Sequence, residues 1–409
     1  MAPRHRILIY SPDGYGLGHF RRCSLIASGL TAADPRNETL IVTGSPRAQS
    51  FGLSTGVDTL KLPSATKDHS GRYRSRRLSL DFSQLVRIRS AVLLSLLEQY
   101  LPDLVLVDHA PVGLAGELTP LLQRIDRMSS PPRLVLGLRD VIDSPERVDH
   151  QWHRSGAWSR LARFDDILVY GDPRVTTTAM ELDLAGRLGR TPVHTGFVAP
   201  VVPADPTPEA KDDPTSNADR RSSRPYLLVT PGGGGDGHAL LRRCLTAIES
   251  GATAGLDTVI VTGPLMSATR RREISERARG LSSVTVIEFS ERMRELVRGA
   301  RGVIAMGGYN TAVEIMSSGT PGLLVPREHP RLEQLIRVDR LSRMGWVQGC
   351  RLGSLDPARV ARFVSGLGEA DPHRAGPGPA LDGVANVATL LSAPLPAHPS
   401  PTRLEKNRV

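Results

Sequence analysis

Residues 303–314, VIAMGGYNTAVE, read as a buried strand that runs straight into a glycine turn and then a helix. The apolar run is strand-length, the two glycines let the backbone turn sharply, and Tyr309 onward has helical spacing. The same plan occurs at 226–237, YLLVTPGGGGDG, and at 6–19, RILIYSPDGYGLGH. Other apolar runs of strand length are Leu40–Thr43, Leu104–Val107, Leu134–Leu138, Ile167–Tyr170, Thr258–Thr262, Val284–Ile287 and Gly322–Val325. Helical stretches separate them. One of these, 83–100, carries Leu85, Ile88, Val92, Leu93, Leu96 and Leu97 on one face. Continuous apolar strands alternating with helices predict parallel sheets covered on both sides, an α/β fold.

Working outward, the 409 residues divide in the middle. Residues 203–225 are rich in Pro, Asp and Ser with almost no large apolar side chains, which cannot bury a core and read as a linker. The expected organisation is a first Rossmann-like lobe over 1–202, the linker, a second such lobe over 226–391, and a disordered tail over 392–409. Ligands of such sheets bind at the carboxyl ends of strands, so the cleft between the lobes is the expected site. Three widely spaced cysteines, Cys23, Cys244 and Cys350, argue against a disulfide framework or a thiolate zinc site and favour a reducing, cytoplasmic setting. The N-terminus does not read as a signal peptide, and no run approaches the length of a membrane span. The net charge is +10, but only four of the 52 cations are lysine. An arginine bias spread along the whole chain, with few aromatics for stacking, does not suggest nucleic-acid binding. One cluster is local: Lys67, Arg72, Arg74, Arg76, Arg77, Arg87 and Arg89. It reads as a solvated loop and helix face, or as a dock for an acidic acceptor or an anionic membrane surface.

The three strand–turn–helix junctions carry the candidate chemistry. Each offers helix-start amides and a positive dipole end to an anion. Gly18 and His19 stand where the first helix begins, and His19 is a candidate base. Asp108 ends the strand Leu104–Val107 and could hold a histidine's tautomer. Gly233, Gly234 and Gly235 lack the ending of a Walker loop but would let a ligand approach closely. At the third junction Gly307, Gly308, Asn310 and Thr311 face an anion, and Glu314 could accept both hydroxyls of a ribose. Phe289 and Ser290 close an earlier strand, where a base could lie. Glu333 and Gln334 lie in a polar stretch suited to sugar hydroxyls. His150 and His153 share a helix face but have no visible third metal ligand.

Taken together, these motifs resemble the two-lobed GT-B glycosyltransferases, and among them the family 28 group that includes the peptidoglycan N-acetylglucosaminyltransferase. The likeness is strongest over about 226–350. In the first half it rests on 6–30, on 102–108 and on Gly137-Leu138-Arg139-Asp140, which resemble a group of bacterial predicted glycosyltransferases. The resemblance implies a UDP-sugar donor, no metal requirement, and inversion at the anomeric carbon. It places the uracil at Phe289 and Ser290, the ribose at Glu314, and the diphosphate at Gly307, Gly308, Asn310 and Thr311 with help from Gly233–Gly235. It places the donor sugar at Glu333 and Gln334, and gives His19 and Asp108 the roles of general base and its support. Arg72, Arg74 and Arg139 are candidate acceptor contacts. The acceptor would be a small molecule, a glycan or a lipid-linked molecule, with peripheral membrane contact as one option. Two features depart from the family: the usual Gln-Gln or Asp-Gln pair is Glu-Gln here, and the apolar segment of a lipid-binding acceptor lobe is replaced by the arginine-rich stretch.

Other readings keep the same scaffold. Gly16–Cys23 also resembles the opening motif of UDP-sugar hydrolases, in which a histidine activates water. A sugar-nucleotide epimerase shares the fold. A noncatalytic nucleotide-sugar-binding protein is the reading outside enzymes.

Overall fold

The computed structural model describes residues 5–12, 18–46, 48, 52–67, 72–200, 224–253, 255–368 and 377–392. Residues 13–17 of the first glycine loop, residues 203–223 of the expected linker and residues 393–409 of the expected tail lie outside the described residues.

The first sheet has seven parallel strands: β1 (His5–Ser11), β2 (Asn37–Thr43), β3 (Val57–Lys61), β6 (Leu104–Asp108), β7 (Arg133–Arg139), β8 (Asp166–Tyr170) and β9 (Val193–His194). Their spatial order is β3-β2-β1-β6-β7-β8-β9. Between β3 and β6 in sequence, β4 (Ala65–Lys67) and β5 (Tyr73–Ser75) form a separate antiparallel ribbon. The second sheet comprises β10 (Tyr226–Thr230), β11 (Asp257–Val261), β12 (Val284–Ile287), β13 (Gly302–Ala305), β14 (Gly322–Leu324) and β15 (Gln348–Gly349), in the order β12-β11-β10-β13-β14-β15. In both sheets the most apolar strands are central. Ile9 on β1 faces Ile41 on one side and Leu106 on the other. Leu228 on β10 lies between Val259 and Val303. Every residue of β6 and β10 is buried, as parallel strands covered on both faces require. The two-lobed α/β expectation therefore holds. The strands it overlooked, β3, β9, β15 and the ribbon, are short or polar elements away from the sheet centres, so their pattern is weak.

The packing corrects two expectations. The last helix, Gly383–Ser392, is grouped with the second lobe by sequence but packs on the first. A Cβ on Gly29 would lie 2.3 Å from Val384 Cγ1. Asn386 Nδ2 donates to the Thr195 carbonyl at 2.9 Å, and the Gly383 amide to that of Phe197. The second correction concerns the helix Phe82–Tyr100. Its core stripe is Leu85, Arg89, Leu93 and Leu97, spaced by four, while Ile88 is exposed. Arg89 is therefore no part of a solvated or docking face. It is fully buried, donating to Glu117 Oε2 at 2.5 Å and Oε1 at 2.7 Å. Tyr10 Oη donates to the same carboxylate at 2.7 Å. A charge on an apolar helix face needs such a partner.

The lobes are joined through side chains at the carboxyl ends of their strands. Arg337, on the helix Glu333–Arg343, grips Asp140 just past β7, with Nε to Oδ2 at 2.6 Å and Nη2 to Oδ1 at 2.8 Å. Both residues are 2% exposed. Arg337 Nη1 also donates to the Gly307 carbonyl at 2.9 Å. Tyr309 Oη accepts from the Val198 amide at 2.9 Å. Among the described residues no helix is long and apolar enough to cross a membrane.

A buried ion pair that loses one partner leaves an uncompensated charge. Arg337→Met is therefore expected to destabilise the protein by about 3–5 kcal/mol in urea denaturation. Adding Asp140→Leu should recover most of that loss, because no charge is then left buried.

Candidate active site

The first helix, Gly18–Ala33, follows β1 in sequence and brings His19 against the end of β6. His19 Nδ1 lies 2.6 Å from Asp108 Oδ2. Asp108 is fully buried. One helical turn beyond His19, the buried Arg22 caps the same carboxylate, with Nη2 at 2.6 Å from Oδ2 and 2.8 Å from Oδ1, and Nε at 3.0 Å from Oδ1. Burial alone would raise the Asp108 carboxyl; Arg22 and His19 outweigh it and hold the group below the ordinary carboxylate range. Asp108 is thus a fixed anion that orients the imidazole. The Arg22 guanidinium also lies over the rings of Tyr170 and Tyr309, at 5.4 and 5.2 Å from their centroids.

The helix Tyr309–Ser318 begins across from this pair, with Gly308 as its extended N-cap. Asn310 Nδ2 donates to the Gly18 carbonyl at 3.0 Å, so the two helix starts touch. A Cβ on Gly307 would lie 2.4 Å from Val338 Cγ2, so only glycine fits, while Gly308 has open space beside it. In the second glycine loop Gly234 has φ +89° and packs on the Thr262 carbonyl, and Gly232 lies alongside the Thr311 hydroxyl. Glu314 is buried within this helix, and Arg21 reaches it from the first lobe at 2.5 Å. Burial raises the Glu314 carboxyl, against the pull of Arg21 and Arg294.

Glu333 and Gln334 start the helix after β14. Arg139, the last residue of β7, donates to Glu333 Oε2 at 2.6 Å, and Arg327 to Oε1 at 3.0 Å. Arg327 also reaches Asp236 beyond the glycine loop at 2.7 Å. Gln334 Oε1 accepts from the Arg327 amide. Burial opposes ionisation of Glu333, yet Arg139, Arg337, Arg327 and Arg331 pull its carboxyl down to about 2.

The structure therefore unites His19, Asp108, Gly18, Asn310, Glu333 and Arg139 in one network across the lobes, with Gly307, Gly308, Gln334, Thr311, Glu314 and the loop Gly233–Gly235 around it. Ser290 is buried at the end of β12, where its hydroxyl accepts from the Arg292 amide, and Phe289 beside it is half-buried. Arg72 and Arg74 are exposed, at the ribbon rather than in this network. His153 Nδ1 binds the Asp149 carbonyl at 2.8 Å, and among the described residues no group of three metal-ligating side chains gathers. Sequence reasoning missed Arg21, Arg22 and Arg337 as site residues. The one available signal was the spacing of His19 and Arg22 by three, which puts them on one helix face.

Residues 227–341 match the model of the glycosyltransferase family 28 C-terminal domain. An uncharacterised glycosyltransferase of Methanosarcina mazei is 28% identical over 105 residues, 26% of each chain, so the match spans about a quarter of that relative's length. A candidate UDP-N-acetylglucosamine 2-epimerase from Listeria monocytogenes superposes with a TM-score of 0.60 at 13% identity over 95% of both chains. A UDP-glucosyltransferase from Polygonum tinctorium, solved with 3,4-dichloroaniline, gives 0.57 at 14% identity over 96% of this chain and all of that one. The two-lobed architecture is GT-B.

The lowered carboxyl of Glu333 carries a stability signature. A group whose folded value lies below its unfolded one contributes above the unfolded value and loses that contribution as pH falls through the folded one. Wild type should therefore exceed Glu333→Gln in urea denaturation at pH 6, and the gap should shrink between about pH 4.5 and pH 2.

Proposed function

We propose that this GT-B protein, which matches the family 28 C-terminal domain over residues 227–341, moves a sugar from a UDP-sugar to an acceptor hydroxyl. The observation that carries the reading is the His19–Asp108 pair, oriented by Arg22, beside the amide-rich start of the helix Tyr309–Ser318. An acceptor hydroxyl placed at His19 Nε2 would lose its proton as its oxygen attacks the anomeric carbon. Asp108 would stabilise the imidazolium that forms. Attack in line with the departing diphosphate inverts the anomeric centre. Negative charge would build on that diphosphate where the helix-start amides, Asn310 and Thr311 can meet it. Glu314 would take the ribose, exchanging its contact with Arg21 for hydroxyls; Phe289 and Ser290 would frame the base, and Glu333 and Gln334 the sugar.

UDP as the nucleotide is supported by the names of the two structural relatives, and donor binding in the second lobe by the match of residues 227–341 to the family 28 C-terminal domain. The acceptor stays open to a small molecule, a glycan or a lipid-linked molecule. Three free cysteines fit a reducing, cytoplasmic setting. A second reading, hydrolysis or epimerisation of the same UDP-sugar, is favoured by one observation, the fold shared with the Listeria protein. Water would then replace the acceptor at His19, or the sugar would leave rearranged.

Binding and turnover separate these roles. His19→Ala should lower UDP release from a UDP-sugar by about 10²–10⁴-fold, the usual span of general-base catalysis, while leaving UDP affinity within twofold. Glu314→Ala should weaken UDP binding at least tenfold in calorimetry. Loss of UDP binding in His19→Ala would contradict the assignment of His19 as base. Release of UDP with free sugar, in the absence of acceptor and at the full rate, would favour the hydrolase.

A further inference from the structure

A second histidine stands beside the pair. His109 follows Asp108 and holds φ +66°, a conformation that side chains other than glycine seldom adopt. Its amide is tied to the Gly137 carbonyl at 2.7 Å. Its ring lies 5.3 Å from that of His19, centroid to centroid. On its other side Arg139 Nη2 lies 3.3 Å from His109 Nε2. A guanidinium only donates, so this contact favours Nε2 as the acceptor and Nδ1 as the protonated nitrogen of the neutral ring. Burial, then the charges of Arg139, His19, Arg22 and Arg331, keep the imidazole neutral well below its ordinary range. Nδ1 is buried and has no hydrogen-bond partner among the described residues. A strained backbone that presents a buried, unpaired donor between two functional groups is costly to keep for packing alone.

The neighbours define what that donor meets. Arg139 links His109 to Glu333, and the Arg139 Nε beyond this link is also buried without a partner. His109 therefore stands between the His19 ring and the Arg139–Glu333 pair. We propose that His109 is a sugar-positioning residue, whose Nδ1–H donates to an oxygen of the transferred sugar and whose tautomer is set by Arg139. The inference rests on the UDP-sugar reading of the site. It assigns His109 no proton transfer: a ring held neutral between guanidiniums can orient a sugar without adding a cation beside His19.

The test uses the whole protein with UDP, UDP-glucose and UDP-N-acetylglucosamine as probes. In ¹⁵N-histidine spectra of the wild type, His109 should show the Nδ1–H tautomer. That signal should shift with at least one UDP-sugar and not with UDP. In calorimetry His109→Ala should bind UDP as the wild type does, but lose about tenfold of the affinity that the sugar adds. His109→Asn should restore it, because the short amide offers an N–H near the place of Nδ1 and asparagine tolerates positive φ. An Nε2–H tautomer, an identical response to UDP and UDP-sugars, or equal impairment of the Ala and Asn variants would overturn the inference. The wild-type spectra decide even if the variants fail to fold. Absence of UDP binding to wild type would instead sink the donor reading itself, and the sugar placement with it.

Discussion

The site depends on one buried carboxylate. Asp108 has no access to solvent, and both its oxygens are taken up by Arg22 and His19. A carboxylate in that position is tolerable only because a guanidinium from the first helix neutralises it. The same pairing fixes where the first helix starts relative to β6, and so where His19 stands. Had Asp108 been exposed, its hold on the imidazole would be screened and the ring free to turn. Burial of the ion pair therefore sets the orientation of the His19 ring within the protein itself.

A second constraint of the same kind joins the lobes. Asp140 at the end of β7 and Arg337 in the second lobe are both out of water, and Arg337 carries the Gly307 carbonyl with it. Arg139, one residue before Asp140, reaches Glu333. Consecutive residues at the end of one strand thus hold the opposite lobe by two ion pairs, which places the start of the helix Tyr309–Ser318 against Gly18. Arg21 and Glu314 add a third crossing contact. Charged groups of the first lobe accordingly occupy positions around the expected nucleotide and sugar contacts, so the proposed donor would have to exchange the Arg21–Glu314 contact.

Much of the fold was legible in the sequence because central parallel strands are apolar on both faces. VIAMGG, YLLVTPGGGG and RILIYSP announce buried strands, and each strand lies where expected. Edge strands such as VDTLK alternate polar residues and pass for loop. The helix 82–100 misled because Ile88 looks like core and Arg89 like surface; the partner that reverses them, Glu117, is 28 residues away in sequence. Among candidate site residues, His19 and Asp108 could be named from their places at a helix start and a strand end. Arg337 could not, and Arg22 only by its spacing from His19, since an arginine reads as surface until its buried carboxylate is known. His109 gave no signal because its backbone conformation and its unpaired nitrogen exist only in the folded chain.

The central claim is that a nucleotide sugar binds between the lobes with its diphosphate at the start of the helix Tyr309–Ser318. A crystal structure of the protein soaked with UDP tests this most directly. The account predicts phosphate oxygens within hydrogen-bond distance of the Asn310 and Thr311 amides, and ribose hydroxyls on Glu314 in place of Arg21. UDP bound elsewhere, or with Glu314 still held by Arg21 and no phosphate at that helix start, would contradict it.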